Sequence, residues 1–299
     1  MKRYIITLLI SIMILGLTAE THFNSGEYGY QFLNIPVNPV SLALAGRGIH
    51  SQGNQANWLW QPAAATADRA KSVSAAHHTW IGDTAYTSLL YSISQRKNHF
   101  GIALINLNYG KIDKRDETGL LIGEYAPADL AVKGNYSLRM TPSLYLGTNM
   151  GVVYQKIDTA SALGAFTDLG ATWFTPLQDS KLSLAMRNLG VSGKMADEKV
   201  KFPLTMDLDL YKGFDLGEQH IGLEGSLSKA VDDDIRYSLG AELTLLGNFL
   251  IRGGYQNADA TNFSAGLGFQ ISRFNLDYGF AAYKEGLQDV HSFGLSYHF

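Results

Sequence analysis

Side chains that could carry out chemistry are few in this sequence, and the most suggestive are two aspartates. Asp207 and Asp209 alternate along one predicted strand, so they share a face and lie about 7 Å apart. Paired carboxylates can act as general acid and base beside a histidine, and His220 on the next predicted strand is the only nearby one. Because buried carboxylates need a partner, we favour salt bridges to Lys or Arg over catalysis.

Other motifs of catalysis and cofactor binding are missing from the sequence. His77 and His78 are adjacent on a predicted strand, so they point to opposite faces and cannot bind one metal ion together. The chain has no cysteine, no Gly-x-Ser-x-Gly nucleophile motif and no phosphate-binding loop. A net charge of −3 and the lack of a basic run after Arg3 give no indication of nucleic-acid binding. The sequence therefore predicts a non-enzymatic protein without metal or cofactor.

The N-terminus has the layout of a secretory signal peptide. Met1-Lys2-Arg3 is positively charged, residues 4–17 form an apolar run, and cleavage is expected after Ala19. The run is too short for a good membrane-spanning helix, which makes a retained helical anchor the weaker alternative. We predict that residues 1–19 are removed during export.

The C-terminus ends in a strand with one apolar face. Its apolar positions alternate with small or polar residues over the last seven positions. This ending resembles the closing strand of bacterial outer-membrane β-barrels, which the barrel-insertion machinery recognises. The predicted assembly signal consists of Phe293, Leu295, Tyr297 and Phe299.

Alternation of apolar and polar residues continues through most of the chain after residue 70, which predicts strands with two unlike faces. We place fourteen of them, an even number as in single-chain bacterial barrels. In residues 98–110 the apolar positions change phase after Leu104, which predicts either a β-bulge or a buried inner face. The predicted strands cover residues 72–80, 84–94, 98–110, 127–140, 142–156, 163–175, 180–189, 203–214, 219–229, 234–245, 247–256, 261–271, 273–284 and 289–299.

Connection lengths sort by parity, as in a membrane barrel. The two longest, residues 111–126 and 190–202, follow odd-numbered predicted strands, whereas connections after even-numbered strands are short. Outer-membrane barrels have short periplasmic turns and longer outer loops. We therefore predict that residues 111–126 and 190–202 face the outside of the cell.

Alternation by itself also fits a soluble β-sandwich, whose apolar faces turn inward. The composition favours a membrane barrel, since 16 Tyr, 14 Phe and 31 Gly occur with only 17% charged residues. Charges of both signs on the polar faces predict a lumen crossed by ion pairs. The predicted lumenal polar face comprises Asp129, Lys133, Arg139, Asp168, Arg187, Asp207, Asp209, Glu224, Arg236, Glu242, Arg252 and Asp277.

Residues 20–70 lack this alternation and contain short apolar stretches instead. A fourteen-stranded barrel is too wide for its own side chains to fill, and apolar residues such as Phe32 and Trp58 need burial. We predict that residues 20–70 fold into the lumen as a hatch, ahead of a barrel domain at residues 71–299. The predicted hatch residues are Phe32, Leu33, Asn34, Pro36, Leu42, Gly46, Trp58, Trp60, Gln61 and Pro62.

Three segments of the predicted hatch resemble the N-terminal signature of the PorV/PorQ family of outer-membrane proteins. They are residues 32–37 (FLNIPV), 42–46 (LALAG) and 58–63 (WLWQPA). The chain departs from the family pattern where Ala45 replaces a glycine and Gln61 replaces the Asn of an aromatic-N-P-A motif. The resemblance implies a fourteen-stranded FadL-like barrel with an N-terminal hatch, and partner proteins of type IX secretion that deliver or attach exported cargo.

We therefore expect a non-enzymatic outer-membrane β-barrel that assists protein export or surface attachment. Its expected partners are outer-membrane lipid, the insertion machinery, and secretion-system or cargo proteins. The alternative is a FadL-like transporter of hydrophobic small molecules, which needs an apolar path from the outside to a gap in the wall; the charged inner face argues against such a path. A third possibility, an outer-membrane hydrolase, requires a His–Asp cluster at the rim, which the sequence does not indicate.

Overall fold

Period-two alternation produces fourteen antiparallel strands that close into a barrel. The computed structural model describes residues 26–64, 71–258, 260–284 and 286–299, and the predicted signal peptide lies outside them. The predicted fold class is confirmed. No helix within these ranges has the length and hydropathy that crossing a membrane requires.

Each barrel strand pairs with its neighbours along the chain, and the first closes the barrel against the last. The barrel strands are β1 (Lys71–Trp80), β2 (Thr84–Gln95), β3 (Asn98–Asn108), β6 (Ala128–Arg139), β7 (Leu144–Ile157), β8 (Ala160–Phe174), β9 (Ser180–Ser192), β12 (Thr205–Leu216), β13 (Gln219–Ala230), β14 (Arg236–Leu245), β15 (Phe249–Gln256), β16 (Thr261–Ile271), β17 (Phe274–Tyr283) and β18 (Val290–His298).

Two hairpins outside the barrel lie in the two longest connections, which the sequence predicted as loops. In the first, β4 (Ile112–Arg115) pairs with β5 (Leu121–Tyr125); in the second, β10 (Lys194–Met195) pairs with β11 (Glu198–Lys199). Both lie at one end of the barrel, here called the long-loop end, where a 3-10 turn at Ile81–Asp83 also connects β1 to β2. Connections at the opposite, short-turn end have two to five residues.

Outward side chains of the barrel are exposed and inward ones are buried. In β6, Leu130 and Val132 are exposed whereas Asp129 is buried. In β3, Ile105 and Leu107 point inward and are buried, and the pairing with both neighbouring strands is regular. The change of phase in the sequence is therefore due to a buried apolar inner face, one of the two predicted explanations, and not to a β-bulge.

Residues 26–64, here called the hatch, lie inside the barrel and contain only short helical segments. Two of these are 3-10 turns, at Gln31–Asn34 and Asn57–Leu59. The third is helix α1 (Pro39–Ala43), which begins where Asn38 Oδ1 accepts a hydrogen bond from Ser41 N at 2.9 Å. Proline at its first position supplies the φ angle that a helix needs.

Helix α1 can lie directly on the inner wall because the wall carries glycine there. A Cβ atom added to Gly266 of β16 would lie 2.5 Å from the Cβ atom of Ala43. One added to Gly279 of β17 would overlap the carbonyl oxygen of Pro39. These glycines therefore permit the close approach of helix and sheet backbones.

The other side of the hatch packs against the largest apolar cluster of the described residues. Trp58 lies at its centre and is 1% exposed, and its ring fills the space where Gly101 of β3 has no side chain. The wall side of this cluster comes from β2 to β8 and the connection after β9. Its wall members are Tyr86, Leu90, Ala103, Ile105, Leu107, Ala131, Val153, Phe166 and Phe202.

Candidate functional site in the barrel lumen

The ten predicted hatch residues all lie in the filled lumen, which is the candidate functional site. Seven are buried, namely Phe32, Leu33, Leu42, Trp58, Trp60, Gln61 and Pro62, and three are half-buried, namely Asn34, Pro36 and Gly46. Gln61, the departure from the family pattern, donates to the carbonyl of Leu184 in β9 at 2.9 Å and accepts from Ala63 N at 3.2 Å. An asparagine is one methylene shorter, so this wall contact depends on glutamine.

Two wall carboxylates hold the middle of the hatch through its backbone. Glu224 of β13 accepts hydrogen bonds from Ile49 N at 3.0 Å and His50 N at 3.2 Å. Glu242 of β14 accepts one from Gln52 N at 2.9 Å. Hydrogen bonds to a charged acceptor are stronger than neutral ones, and these satisfy amides that have no helix or strand partner. Both acids therefore fix the conformation of this segment.

Arg252 of β15 links Glu242 to the next strands. Its Nε lies 2.7 Å from Glu242 and its Nη1 lies 2.6 Å from Asp277 of β17. A third nitrogen donates to the carbonyl of Gln52 at 3.3 Å. Arg252 thus offsets part of the negative charge of Glu242 and Asp277 while it also contacts the hatch.

Arg47 ties the hatch to the wall at Asp207. Arg47 Nη2 lies 2.5 Å and Arg187 Nε lies 2.6 Å from the two Asp207 oxygens. Both guanidinium groups also lie over the ring of Trp60, at 5.7 and 4.3 Å from its centre. Asp209 is buried beside them, 3.9 Å from Arg47 Nε. Asp207 and Asp209 are therefore part of an ion-pair network.

A second polar group reaches the hatch from β6, β7 and β8. Lys133 Nζ pairs with Asp168 at 2.7 Å and donates to the carbonyl of Leu59 at 3.2 Å. Asn149 donates to the carbonyl of Trp58 at 3.0 Å and to Asp168 at 2.9 Å. Side chains of the wall thus replace the backbone partners that the irregular hatch lacks.

Three predicted lumenal charges take no part in these contacts. Asp129 is buried but accepts from Tyr109 Oη at 2.8 Å, near the long-loop end. Arg139 donates to the carbonyl of Pro142 at 3.2 Å in a short turn. Arg236 is exposed at the long-loop end. All three lie close to strand ends.

Sequence reasoning missed a β-bulge in β9. The register shifts opposite β8, and Asn188 has a φ of 61°, so Arg187 and Asn188 both point inward instead of alternating. Each donates to Asn34 Oδ1 at 3.2 Å. Arg47 was missed as well, although a lone arginine within an apolar segment is a signal of a buried ion pair.

An outer cavity of about 560 Å³ opens at the long-loop end, on one side of the hatch. Arg47, Arg187 and Trp60 line it next to the hatch, and Asp232 and Asp234 line it near the loops. Hydroxyl and amide groups of the wall share the rest of the lining with apolar side chains such as Leu42, Trp80 and Phe263. The cavity therefore suits a ligand that carries both apolar and polar groups.

An inner cavity of about 550 Å³ lies on the other side of the hatch, at the short-turn end. His50 and Trp58 of the hatch line it together with His99, Lys181 and His298 of the wall. Lys181 is the one lysine, and no Asp, Glu or Arg of the described ranges lines this cavity. The hatch thus separates a cavity at each end of the barrel.

A third concave surface lies on the outer face of β6 to β9. This crevice of about 850 Å³ is lined by apolar side chains such as Val132 and Met150. Strand pairing is regular from β6 to β8, with Gly134 opposite Met150 and Gly151 opposite Phe166, and it shifts register between β8 and β9 after the pair Thr167–Leu189. The crevice is therefore a depression in the outer surface that borders the β-bulge of β9.

A His–Asp cluster occurs at the short-turn rim, which corrects the expectation from the sequence. His220 Nδ1 lies 2.8 Å from Asp215, while its Nε2 lies 3.1 Å from Tyr211 Oη and 3.6 Å from Asp179. The cluster forms over Gly213, where a Cβ atom would lie 2.9 Å from the His220 ring. Within the described ranges no serine or threonine hydroxyl is hydrogen-bonded to His220, so the cluster lacks the nucleophile of a hydrolase triad.

His77 and His78 point to opposite faces of β1, as predicted. His77 is exposed, with Nδ1 at 3.0 Å from Thr87 Oγ1, and His78 is buried against Tyr86. In the part of the chain that the structure describes, no group of three His, Asp or Glu side chains is arranged to hold a metal ion.

The predicted assembly residues lie on the outer face of β18 and just beyond it. Phe293, Leu295 and Phe299 are exposed and Tyr297 is half-exposed. Phe299 N donates to the carbonyl of Lys71 at 2.9 Å, so the last residue still pairs with the first strand.

Solved structures with the same fold include a toluene transporter, a monoaromatic hydrocarbon channel and a FadL homologue. The Pseudomonas putida toluene transporter TodX superposes with a TM-score of 0.62 at 12% identity, over 92% of this chain and 99% of that one. The CymD monoaromatic hydrocarbon channel gives 0.58 at 13% identity, over 89% and 98%. A Pseudomonas aeruginosa FadL homologue gives 0.57 at 11% identity, over 87% and 98%.

No protein-family model and no curated protein sequence matches this chain. The structural superpositions and the strand order show that the chain has the fourteen-stranded barrel fold of the FadL-type outer-membrane proteins. The resemblance to the PorV/PorQ family is not confirmed by these comparisons.

Proposed function

We propose that this protein is an outer-membrane channel that takes up a small molecule and uses the hatch as its gate. The observation that carries the proposal is the pair of cavities, about 560 and 550 Å³, on opposite sides of the hatch. Arg47 and Trp60 line the outer cavity, whereas Ile49 and Trp58 line the inner one. Residues two apart in sequence thus face different cavities, so a small shift of the hatch would join them.

Two further observations support uptake. TodX is a toluene transporter and CymD is a monoaromatic hydrocarbon channel, and both share this fold. Behind the outer crevice the strand pairing is regular from β6 to β8, and β8 and β9 stay paired on both sides of their bulge, which favours passage along the lumen over a sideways path into the lipid. The proposed route runs from the outer cavity past Arg47 and Trp60 to the inner cavity.

Planar-bilayer recordings test the gate. We expect the native protein to be nearly silent, because the hatch fills the lumen, and a variant lacking residues 20–64 to conduct steadily. Cells that produce the native protein should accumulate small solutes faster than cells that lack it. Large steady currents from the native protein would show that the hatch is not a gate.

Orientation is a separate part of the proposal, in which the long-loop end faces the outside. A cysteine at Lys194 should react with an impermeant maleimide on intact cells. A cysteine at Glu218, in a short turn, should react only after the outer membrane is broken. The reverse pattern would place the outer cavity in the periplasm.

Assistance in protein export or surface attachment, as the PorV/PorQ resemblance implies, is the second candidate function. One observation favours it: Leu120, Leu121 and Ile122 are exposed on the β4–β5 hairpin at the long-loop end, where a protein partner could cover them. Replacing Leu121 and Ile122 with serine should then lower the amount of surface-attached protein, measured by protease treatment of intact cells. An unchanged surface proteome would exclude this function.

A further inference from the structure

Lys181 is the unusual charge of the inner cavity because it has no acidic partner. Among the described residues no carboxylate oxygen lies within 4.0 Å of its Nζ, whereas the buried Lys133 pairs with Asp168 at 2.7 Å. The Lys181 ammonium lies instead over the rings of Tyr211 and Phe174, at 4.6 and 5.6 Å from their centres. Aromatic rings stabilise a cation only partly, so this site still lacks a counter-ion.

The nearest carboxylates are engaged elsewhere. Asp179 and Glu224 interact with Lys181 over longer distances. Glu224 accepts hydrogen bonds from the amides of Ile49 and His50, so it cannot move to Lys181 without leaving them. Asp179 lies closer to His220, at 3.6 Å.

The remaining lining of the inner cavity adds donors and acceptors but no negative charge. Burial, together with the Lys181 ammonium, holds the pKa of His50 well below its ordinary value, so that ring is neutral. Hydroxyl and amide groups complete the lining of the inner cavity, among them Ser51, Asn54, Ser92, Gln270 and Asn275.

We propose that the inner cavity binds a small hydroxylated organic anion, with the carboxylate of the ligand on Lys181 and its hydroxyl groups on the Ser, Asn and Gln side chains. A volume of about 550 Å³ accommodates a ligand of sugar-acid size. That this ligand is the transported substrate rests on the proposed function, whereas the binding site is inferred from the geometry of the cavity alone.

Isothermal titration of the full-length protein in detergent tests the site with D-glucuronate and D-glucose, which share hydroxyl groups and differ in charge. We expect glucuronate to bind and glucose to bind at least about tenfold more weakly, the effect of one charge-assisted hydrogen bond. Lys181→Gln should weaken glucuronate binding by a similar factor, and Lys181→Arg should largely retain it. Trp58 lines the cavity, so its fluorescence should change on binding.

Lys212→Gln is the matched control, since Lys212 lies on the neighbouring strand, donates to the carbonyl of Gln178 and lines neither cavity. Equal binding of both sugars, no binding of either, or an equal effect of Lys212→Gln would overturn the proposal. Folding of each variant is checked by its heat-modifiable mobility. If glucuronate binds at Lys181 but does not cross proteoliposomes, the site stands and uptake fails. Uptake at the native rate by Lys181→Gln would overturn the place of this site on the uptake route.

Discussion

The two sides of the hatch are attached to the wall by different forces. Towards β2–β8, Trp58 and its neighbours are buried in an apolar cluster, to which Lys133 and Asn149 add hydrogen bonds to hatch carbonyls. Towards β12–β17, Glu224 and Glu242 accept hydrogen bonds from hatch amides, and Arg47 pairs with Asp207. Apolar burial is non-directional and tolerates small displacements, whereas hydrogen bonds weaken steeply with geometry.

The difference suggests how the proposed gate can be stable and still open. The apolar side keeps the hatch in the barrel, and the polar side fixes the conformation of the segment that separates the cavities. Ligand groups can replace a hydrogen bond of Arg47 or Glu224, but they cannot replace the burial of Trp58. We therefore expect opening to begin on the polar side.

The largest expected effect comes from the apolar side. Trp58→Ala should lower the free energy of unfolding by about 3 kcal/mol, because the cavity left by a buried ring does not collapse fully. Urea titration of the detergent-refolded protein measures the loss, and bilayer recordings should show frequent opening. Trp173→Ala is the control, since Trp173 is exposed on the outer face; equal currents from both variants would contradict an anchoring role of Trp58.

A smaller effect is expected from the polar side. Glu224→Gln removes the charge and leaves the amides of Ile49 and His50 with one neutral acceptor, which should cost about 2 kcal/mol. Brief openings in bilayer recordings should become more frequent while the protein stays folded. Glu218→Gln, in an exposed turn, should leave the frequency of these openings unchanged. If Trp58→Ala opens the channel and Glu224→Gln does not, opening does not begin on the polar side.

The close contact between helix α1 and the glycines of the wall should contribute somewhat less to stability than Trp58 or Glu224. Gly279→Ala would push the wall against the Pro39 carbonyl and should cost about 1 to 2 kcal/mol through overpacking. Gly253→Ala is the matched control, because nothing lies within 4 Å of the added Cβ there. Thermal unfolding, monitored by electrophoretic mobility, measures the difference in stability between the two variants. Equal stability of the variants would mean that α1 is not seated against the wall.

The smallest effect on stability is expected at the C-terminus, away from both sides of the hatch. Phe299→Lys should slow insertion into the membrane without opening the channel, because the residue lies on the outer face and resembles part of the assembly signal. Pulse-labelling of the heat-modifiable form measures the rate. Leu246→Lys adds a charge to an exposed turn at the same end and should insert normally; normal insertion of both variants would remove Phe299 from the signal.

Much of the barrel could be predicted because strand faces are a local property of the sequence. Polar and apolar residues that alternate must lie on opposite faces, whatever the strand is paired with. Strand number and the positions of the long connections follow from this local signal. The prediction was weakest in β3, where Ile105 and Leu107 make the inner face apolar, because period-two alternation cannot distinguish a second apolar face from a bulge.

The sequence by itself determined the fourteen strands, their two faces and the presence of an apolar segment ahead of them. Only the tertiary structure decided which groups meet inside. Arg47 and Asp207 are 160 residues apart, and their contact depends on barrel closure, on the register of β12 and on the bulge that turns Arg187 inward. The same register leaves Lys181 without a carboxylate partner and places Asp179 next to His220. Such contacts join side chains that are distant in sequence, so local periodicity carries no information about them.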